Sequence, residues 1–573
     1  MTKSQQIHHG ARPDRGGRRR RRGPGRLAAV LVAMALLAVA CGDDDGGGDD
    51  AASPSTTAPG PTTATSGGDT GGDDTGGDDT SGPPEDADPE GVLRIATNFN
   101  IAGGYNIDPA KGASISYDAI SYLLLGTPLF LDRDGEIKPY LAEGWEIPDA
   151  TTFVLKLREG LTFQDGQPYD AQTLKDTYEA KLASSETAFL GGPWRQIDTM
   201  TVDSPTQLTF KMKTPSAGMM PSILTQTFGH AAAPGYDPAM PVGAGPYKVV
   251  HYQDRTLLRL EKWDGFFRAD DFYLKTIEFI EVPGGAATLN ALRADQVDLV
   301  SSSPNQLQET AASGDFGIVV TNNEAHYHFV QCLTAPPFDN PLFREAFYLA
   351  INQEEMNAGV MGGNAEPMES LWPSGHRFNV PGLINPEGDI ERARQIVEEN
   401  GFAGTRVRIG MYNVPTQQRI AEVLQAQVAE VGIEAELIPF PPGQLPNSTI
   451  TPDSGGGYVV ANTFPGITKV TQSALLAAPG PSSMCPEAPD AHPDLRADAD
   501  AIVAGDLTDD ELEERWRNLQ TNIMRQFLDM PMLTQPAAYL YNKRVAGLQP
   551  GTVGLTAATA PGPFLEGVYI KRD

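Results

Sequence analysis

From Gly42 to Glu90 the chain carries no valine, isoleucine, leucine, methionine or aromatic residue. Nearly every position is Gly, Asp, Ser, Thr, Pro or Ala, and the near-repeat GGDTGGDDTGGDDT lies inside it. Such a segment has too little apolar surface to offset the entropy lost on ordering. It is expected to be an acidic, self-repelling tether, since its fourteen acids face no base. A core can therefore form only from residue 91 onward. The 483 residues that remain are too many for one core and suit two lobes or more.

Ahead of the tether stand five arginines, Arg18–Arg22, then Arg26, then Leu27–Ala40 without a charge. At about 1.5 Å per helical residue, that apolar run is shorter than the ~20 residues a bilayer requires. A basic segment, a short apolar core and small residues at its end form a secretory signal. Ala38, Val39 and Ala40 lead into Cys41. This resembles the lipobox of bacterial lipoproteins, in which the cysteine is acylated and becomes the N-terminus. The usual leucine of that pattern is Ala38 here, and Leu37 sits one place early. The residues GPGRLA that follow the arginines do not resemble a twin-arginine motif. The lipobox resemblance implies that residues 1–41 are a signal ending at an acylated Cys41, with 42–90 as the tether. The alternative is ordinary cleavage near Ala40 and full secretion.

Residues 91–573 keep 34 bases against 59 acids. A domain this acidic is not suited to nucleic acid or to an anionic membrane surface. The charge is read as solubility. No second apolar run in 91–573 is long enough to span a bilayer.

Short strands and helices alternate along the folded part. GVLRIAT (91–97) is a strand. SYDAISYLLLG (116–126) is a helix with Ile120, Leu123 and Leu124 on one face, closed by Gly126. FVLKLREG (153–160) alternates as a half-exposed strand. YDAQTLKDTYEAKLAS (169–184) is a helix capped by Asp170, and LTFKMK (208–213) and YKVVHYQD (247–254) are strands. DIERARQIVEENG (389–401) is a helix from an Asp389 cap to Gly401. VRIGMYN (407–413), QRIAEVLQAQVAEVG (418–432) and IEAELIPF (433–440) follow as strand, helix, strand. That order argues for a parallel α/β sheet.

Five segments in order resemble one family. DRDGEIKPYLAEGWEI (132–147) and FVLKLREGLTFQDGQPYDAQTLKDTYE (153–179) are similar to its "P-x-L-A-x-x-W" and "F-x-L-R-x-G-x-x-F-x-D-G-x-P" motifs. PVGAGPYKVV (241–250) is similar to G-T-G-P-Y, with Ala244 for the usual Thr. ALRADQVDLV (291–300) is similar to "L-x-x-G-x-V-D", with Asp295 for the glycine. PPFDNPLFREAFYLAIN (336–352) is similar to "P-F-x-D-x-x-x-R-x-A-x-x-x-A-I". On these the chain is identified as a member of the extracellular solute-binding proteins of the oligopeptide, dipeptide and nickel importers. The resemblance covers essentially all of 91–573. It implies an α/β, two-lobed periplasmic-binding-protein-like fold (type II), with an extra subdomain in lobe I. Lobe I would comprise 91–330, with its subdomain at about 128–240, and 535–573; lobe II would comprise 331–534. The crossings would be HYHFVQC (326–332) and PMLTQPA (531–537). It further implies a monomer that hands a peptide or other small solute to ABC permease subunits, touches the membrane through its lipid alone, and needs no cofactor. It would act outside the cytoplasm, in a periplasm or at the cell surface. The motif glycines and prolines are read as local turns.

Other chemistries leave weaker traces. PDSGGGY (452–458) has part of the G-D-S-G-G of trypsin-like proteases, but Pro452 replaces the first glycine and no protease histidine motif accompanies it. A secreted hydrolase is the alternative class. No G-x-S-x-G, H-E-x-x-H or G-x-x-x-x-G-K-[ST] occurs. His326 and His328 share one face of a strand and are the seed of a metal or nickel-complex reading, but no further ligand pattern completes it; packing against neighbours is the simpler role.

With Cys41 acylated, Cys332 and Cys485 remain. Two cysteines in an oxidising compartment suggest a disulfide. Family pockets lie between the lobes, on loops at strand ends, lined by aromatic and amide groups. That places the ligand contacts at Tyr105 and Asn106 after the first strand, Trp372 in ESLWPSGH, Tyr412 and Asn413, and Asn462, Thr463 and Phe464 in VVANTFPG. In peptide-binding relatives the last region often carries W-x-x-D, whose aspartate pairs with the peptide amine. No acid falls between Asp453 and Glu487 here. A buried ammonium without a counter-charge is costly, so the expected ligand is an uncharged or weakly charged solute, such as an oligosaccharide or blocked peptide.

Overall fold

Leu93 and Ile95 are buried along the strand Val92–Thr97, and that strand lies inside a seven-stranded sheet. The computed structural model describes residues 82–97, 118–132, 136–183, 196–225, 229–237, 240–302, 307, 310, 313–321, 326–333, 335–440, 456–462, 493–549 and 565–572. Cys41, most of the tether, Tyr105, Asn106, Thr463, Phe464 and Cys485 lie outside the described residues.

In the seven-stranded sheet, Val92–Thr97 runs parallel to Thr276–Glu281 on one side and to Leu299–Ser302 on the other. Leu257–Lys262 and Tyr247–Gln253 extend it antiparallel beyond Thr276–Glu281. At the far side Ala537–Tyr541 runs antiparallel between Leu299–Ser302 and Gly317–Thr321. The sheet therefore waits for a strand made more than two hundred residues later. A second sheet has the spatial order Glu434–Phe440, Arg406–Tyr412, Gly456–Asn462, His326–Gln331, Met530–Thr534. Its first three strands are parallel to one another, and His326–Gln331 is antiparallel to both its neighbours. A four-stranded antiparallel sheet, Ala142–Asp149, Thr152–Leu157, Gln207–Met212 and Ile197–Ser204, forms the subdomain.

Each large sheet has its own core. Tyr178, Phe153, Phe210, Tyr247, Phe272 and Phe279 are buried in the first, which also fills the subdomain. Phe329, Phe347, Trp372, Trp516 and the helix residues Ile420 and Leu424 belong to the second. The two cores define lobe I and lobe II.

Local signals match the elements formed. Asp170 Oδ1 accepts from Thr173 N at 2.9 Å, and Asp389 Oδ1 accepts from Arg392 N at 3.0 Å, so both acids cap their helices. Gly401 and Gly432 end helices with φ of +68° and +89°. Arg406–Tyr412 and Glu434–Phe440 pair in parallel over their whole length, joined by the helix Pro415–Glu430, as their order implied. Thr152–Leu157 differs from the half-exposed strand its alternation suggests: Thr152 and Val154 are buried as well as Phe153 and Leu155, so both faces are covered. The first crossing also falls earlier than the sequence reading placed it. His326–Gln331 is a full member of the lobe II sheet, so the change of sheet occurs between Thr321 and His326; the return lies between Thr534 and Ala537.

The motif residues do more than turn the chain. Gln164 Nε2 donates to the carbonyls of Leu124, Gly245 and Tyr247 at 3.1, 3.1 and 2.7 Å, and its Oε1 accepts from Gly243 N at 3.1 Å. The FQDGQP turn is thus locked onto GAGPY. A Cβ on Gly243 would collide with the carbonyl of Leu124, which explains glycine there. Asp295, in the place of the motif glycine, has φ +55°, the left-handed region that glycine serves and aspartate tolerates.

Asp298, three residues on, is fully buried. Its Oδ2 accepts from Arg94 N and Nε, both at 2.9 Å, and its Oδ1 accepts from Arg94 Nη2 at 3.0 Å and Arg544 Nε at 2.8 Å. One carboxylate thereby joins the first strand to the turn after the last long strand. Removing one partner of a buried pair leaves charge uncompensated. Asp298→Ala is expected to lower unfolding stability by roughly 3 kcal/mol, read as an earlier urea midpoint; an unshifted midpoint would refute the role.

His230 is buried beside lobe I, and its Nδ1 donates to the Gly126 carbonyl at 2.7 Å. Burial, aided by the nearby Lys181 ammonium and opposed by that hydrogen bond, lowers its pKa to about 3. The folded chain therefore holds this imidazole neutral while the unfolded chain protonates near 6.5. Its contribution is complete above that pH and is lost as the pH falls from about 6.5 toward 3, by up to ~1.4 kcal/mol per unit. Denaturation curves at pH 7.5 and 4.5 should show that loss, and a folded His230→Gln variant should show less of it.

Candidate functional site

The parallel strands of lobe I end at Thr97, Glu281 and Ser302, and those of lobe II at Tyr412, Phe440 and Asn462. The crossings join these same edges. One runs from Thr321, at the lobe I edge, to His326, which pairs with Asn462 and Thr534 at the lobe II edge. The other runs from Thr534 to Ala537, which pairs with Thr321. A chain reaches at most about 3.6 Å per residue, so the linked ends lie within roughly 18 Å and roughly 11 Å of one another. Two short connections thus hold the carboxyl edges of two α/β sheets next to each other. Carboxyl edges are where open α/β sheets take their ligands.

Three of the sequence candidates come to the lobe II edge. Tyr412 is half-buried, with its ring edge-on to Phe440 at 5.5 Å, and burial pushes its phenol above the ordinary value. Its backbone N–H donates to Gln417 Oε1 at 3.1 Å, which fixes the strand end on the next helix. Asn413 is exposed; its N–H donates to the Phe440 carbonyl at 2.8 Å and its Oδ1 accepts from Gln418 at 2.6 Å. Asn462 ends its strand opposite His326.

Trp372 does not join them. Its ring is 1 % exposed, stacked on His376 at 4.1 Å and edge-on to Trp516 at 5.2 Å inside the lobe II core. The expectation of a stacking platform for ligand is corrected: ESLWPSGH folds back onto the helix that carries Trp516, and the indole is spent on packing. Truncating it would cost about 3–5 kcal/mol of stability and so would report on folding.

The edge also holds groups that the sequence did not mark. Glu281 ends a lobe I strand, half-buried. Thr534 is buried and accepts from Glu366 N at 2.8 Å, and Glu366 Oε1 accepts from Ser374 N at 2.7 Å. Strand pairing places each of them at the edge of its own sheet, and the last residue of each apolar strand was a usable signal. His328 Nδ1 lies 2.9 Å from Asp529 Oδ1, and the His326 and His328 rings are 5.3 Å apart. These histidines pack within the strand layer, and among the described residues no group of three His, Cys, Asp or Glu is placed to hold a metal ion. Cys332, at the opposite end of that strand, is disulfide-bonded. Among the described residues no helix is long and apolar enough to cross a membrane.

Residues 136–463 match the model of the bacterial extracellular solute-binding proteins, family 5. The chain belongs to that family. This family 5 protein is 25 % identical over 329 residues to a glutathione-binding protein, GsiB, of Pectobacterium atrosepticum, a match covering 55 % of this chain and 63 % of the relative's length. Two solved structures share its two-lobed fold. The ABC transporter substrate-binding protein CtaP of Listeria monocytogenes aligns at TM-score 0.69 and 22 % identity, over 84 % of this chain and 99 % of its own. NikA of Brucella suis, in complex with Fe(III)-EDTA, aligns at TM-score 0.71 and 17 % identity, over 84 % and 100 %.

Proposed function

We propose that this family 5 protein captures a peptide-like or other small solute between the two carboxyl edges and delivers it to the permease of an ABC importer. The observation that carries the reading is the pair of short crossings that set those edges opposite each other. A solute touching both edges stabilises the closed arrangement over the open one, which gives a permease two shapes to tell apart. On this reading Tyr412 offers an aromatic face and Asn413 an amide at the lobe II edge, and Asn462, at the end of its strand, is followed in sequence by Thr463 and Phe464. Tyr105 and Asn106 follow the first strand of lobe I in the same way. Such groups suit stacking and neutral hydrogen bonding, which favours an uncharged or weakly charged solute.

A free peptide amine is the second reading, and Glu281 favours it. A carboxylate at the lobe I edge offers an ammonium the counter-charge that the VVANTFPG segment lacks. The match to a glutathione-binding protein supports a peptide-like ligand as well. Mass spectrometry of solute co-purified from the producing cell should identify the ligand. Calorimetry with that solute should then show Tyr412→Ala and Asn462→Ala each weakening binding about tenfold, the cost of about 1.4 kcal/mol for one lost contact. Glu281→Gln separates the readings: unchanged affinity fits a neutral solute, and a loss of a hundredfold or more fits an ammonium. Unaltered binding in all three variants would remove the carboxyl edges as the site.

The signal and tether support a location outside the cytoplasm on a lipid anchor. The mature chain is proposed to begin at acylated Cys41, to carry a Cys332–Cys485 disulfide, and to act as a monomer without a cofactor. Peptide masses from unreduced, membrane-extracted protein should include a lipid-modified Cys41 peptide and a linked Cys332–Cys485 pair. Cys41→Ser should move the protein to the soluble fraction. A variant that stays with the membrane, or a native N-terminus elsewhere, would refute the anchor.

A further inference from the structure

Gly218 and Gly505 belong to different lobes, and their backbones touch. Gly218 sits in the helical turn Ala217–Met219, beside the subdomain sheet of lobe I. Gly505 follows the lobe II helix Pro493–Ala504 with φ +76°. A Cβ on Gly218 would lie 2.5 Å from Gly505 Cα and 3.1 Å from the Ile502 carbonyl oxygen. A Cβ on Gly505 would meet Gly218 Cα as closely and would stand 3.5 Å from Ile147 Cδ1. Gly218 is not in the left-handed region. Conformational freedom therefore gives no reason for glycine at this position, and the lack of space does.

Two further observations join the same bodies. Val503, two residues before Gly505, is half-buried and packs against both the lobe I core and the lobe II core. The hairpin formed by Leu129–Leu131 and Ile137–Pro139 carries Glu136. Its carboxyl is held below the ordinary range first by the Lys138 ammonium, and Arg377 of lobe II adds its field. Arg377 itself lies over the Phe378 ring at 4.5 Å and pairs with Asp509 of its own lobe at 3.9 Å. Lobe I and lobe II thus meet on the subdomain side through surfaces that no continuous strand or helix joins.

We infer that Gly218 against Gly505 is the contact that seals closure, and that a side chain at Gly218 holds the lobes apart. The inference rests on the reading of the carboxyl edges as a closing solute trap. Packed interfaces between rigid bodies tend to have discrete arrangements, so a missing few ångströms of clearance at one rim becomes a rotation about the crossings. Closure without a glycine would leave the rim ajar whatever the ligand contributes.

Small-angle scattering of the full-length protein tests this without knowledge of the ligand. Gly218→Leu is expected to raise the radius of gyration by roughly 1 Å over wild type, with the thermal transition of each lobe retained. Gly218→Ala, which introduces the smallest side chain that cannot fit, should move it in the same direction by less. A folded Gly218→Leu protein with the wild-type radius would overturn the inference. Loss of folding in both Gly218 variants would also overturn it, by making the contact part of a permanent core. Expansion of the variants with no solute recoverable from wild type would leave the seal standing and overturn the import reading instead.

Discussion

The fully buried carboxylate of Asp298 is the interaction on which the two-lobed arrangement depends. It is held by arginines from the start of the folded chain and from its return, Arg94 and Arg544. Without compensation it would be an isolated charge in a dry site; with two guanidinium partners it fixes where the strand Ala537–Tyr541 enters the lobe I sheet. That entry is what makes the second crossing short. One crossing would tether two lobes, whereas two crossings a few residues long orient one carboxyl edge against the other.

The two edges differ in chemistry. Lobe II carries an aromatic ring and an amide, Tyr412 and Asn413, at a strand end held by backbone pairing and by the Gln417 and Gln418 side chains of the next helix. Lobe I presents Thr97, Glu281 and Ser302. On the proposed reading a solute satisfies both to hold the lobes together, so specificity would belong to the closed pair and to neither edge alone. The rim on the subdomain side is a different kind of surface, with a backbone contact at Gly218 and Gly505 and Val503 packed against both cores. Its inferred effect is on how far the cleft shuts.

Much of the fold was legible because its causes are local. Asp170 and Asp389 announce helix starts through the N–H groups that they cap, and Gly401 and Gly432 announce ends through the left-handed backbone they adopt. The strand–helix–strand run from Arg406 to Phe440 follows from periodicity and chain length alone. The motif spacing identified the family, although the reasons for its residues appeared only in three dimensions. Gln164 bridges two motifs that read separately as turns, and Asp295 stands in for glycine because its φ is positive.

The site was less legible, for a physical reason visible in Trp372. Sequence marks an aromatic residue in a polar loop as a candidate platform, but whether its face meets solvent depends on which distant helix packs against it. Here the helix that carries Trp516, over a hundred residues later, covers the ring. Glu281 shows the reverse case, an ordinary strand-end residue that pairing brings to the cleft edge. By itself the sequence determined the apolar-free stretch that confines folding to residue 91 onward, the helices and strands, their caps and breaks, and the family, because each follows from neighbours a few positions apart or from motif order. Only the tertiary structure decided which strand ends face each other, which aromatic groups are buried and where the lobes touch, because those depend on pairings between segments hundreds of residues apart that no local pattern encodes.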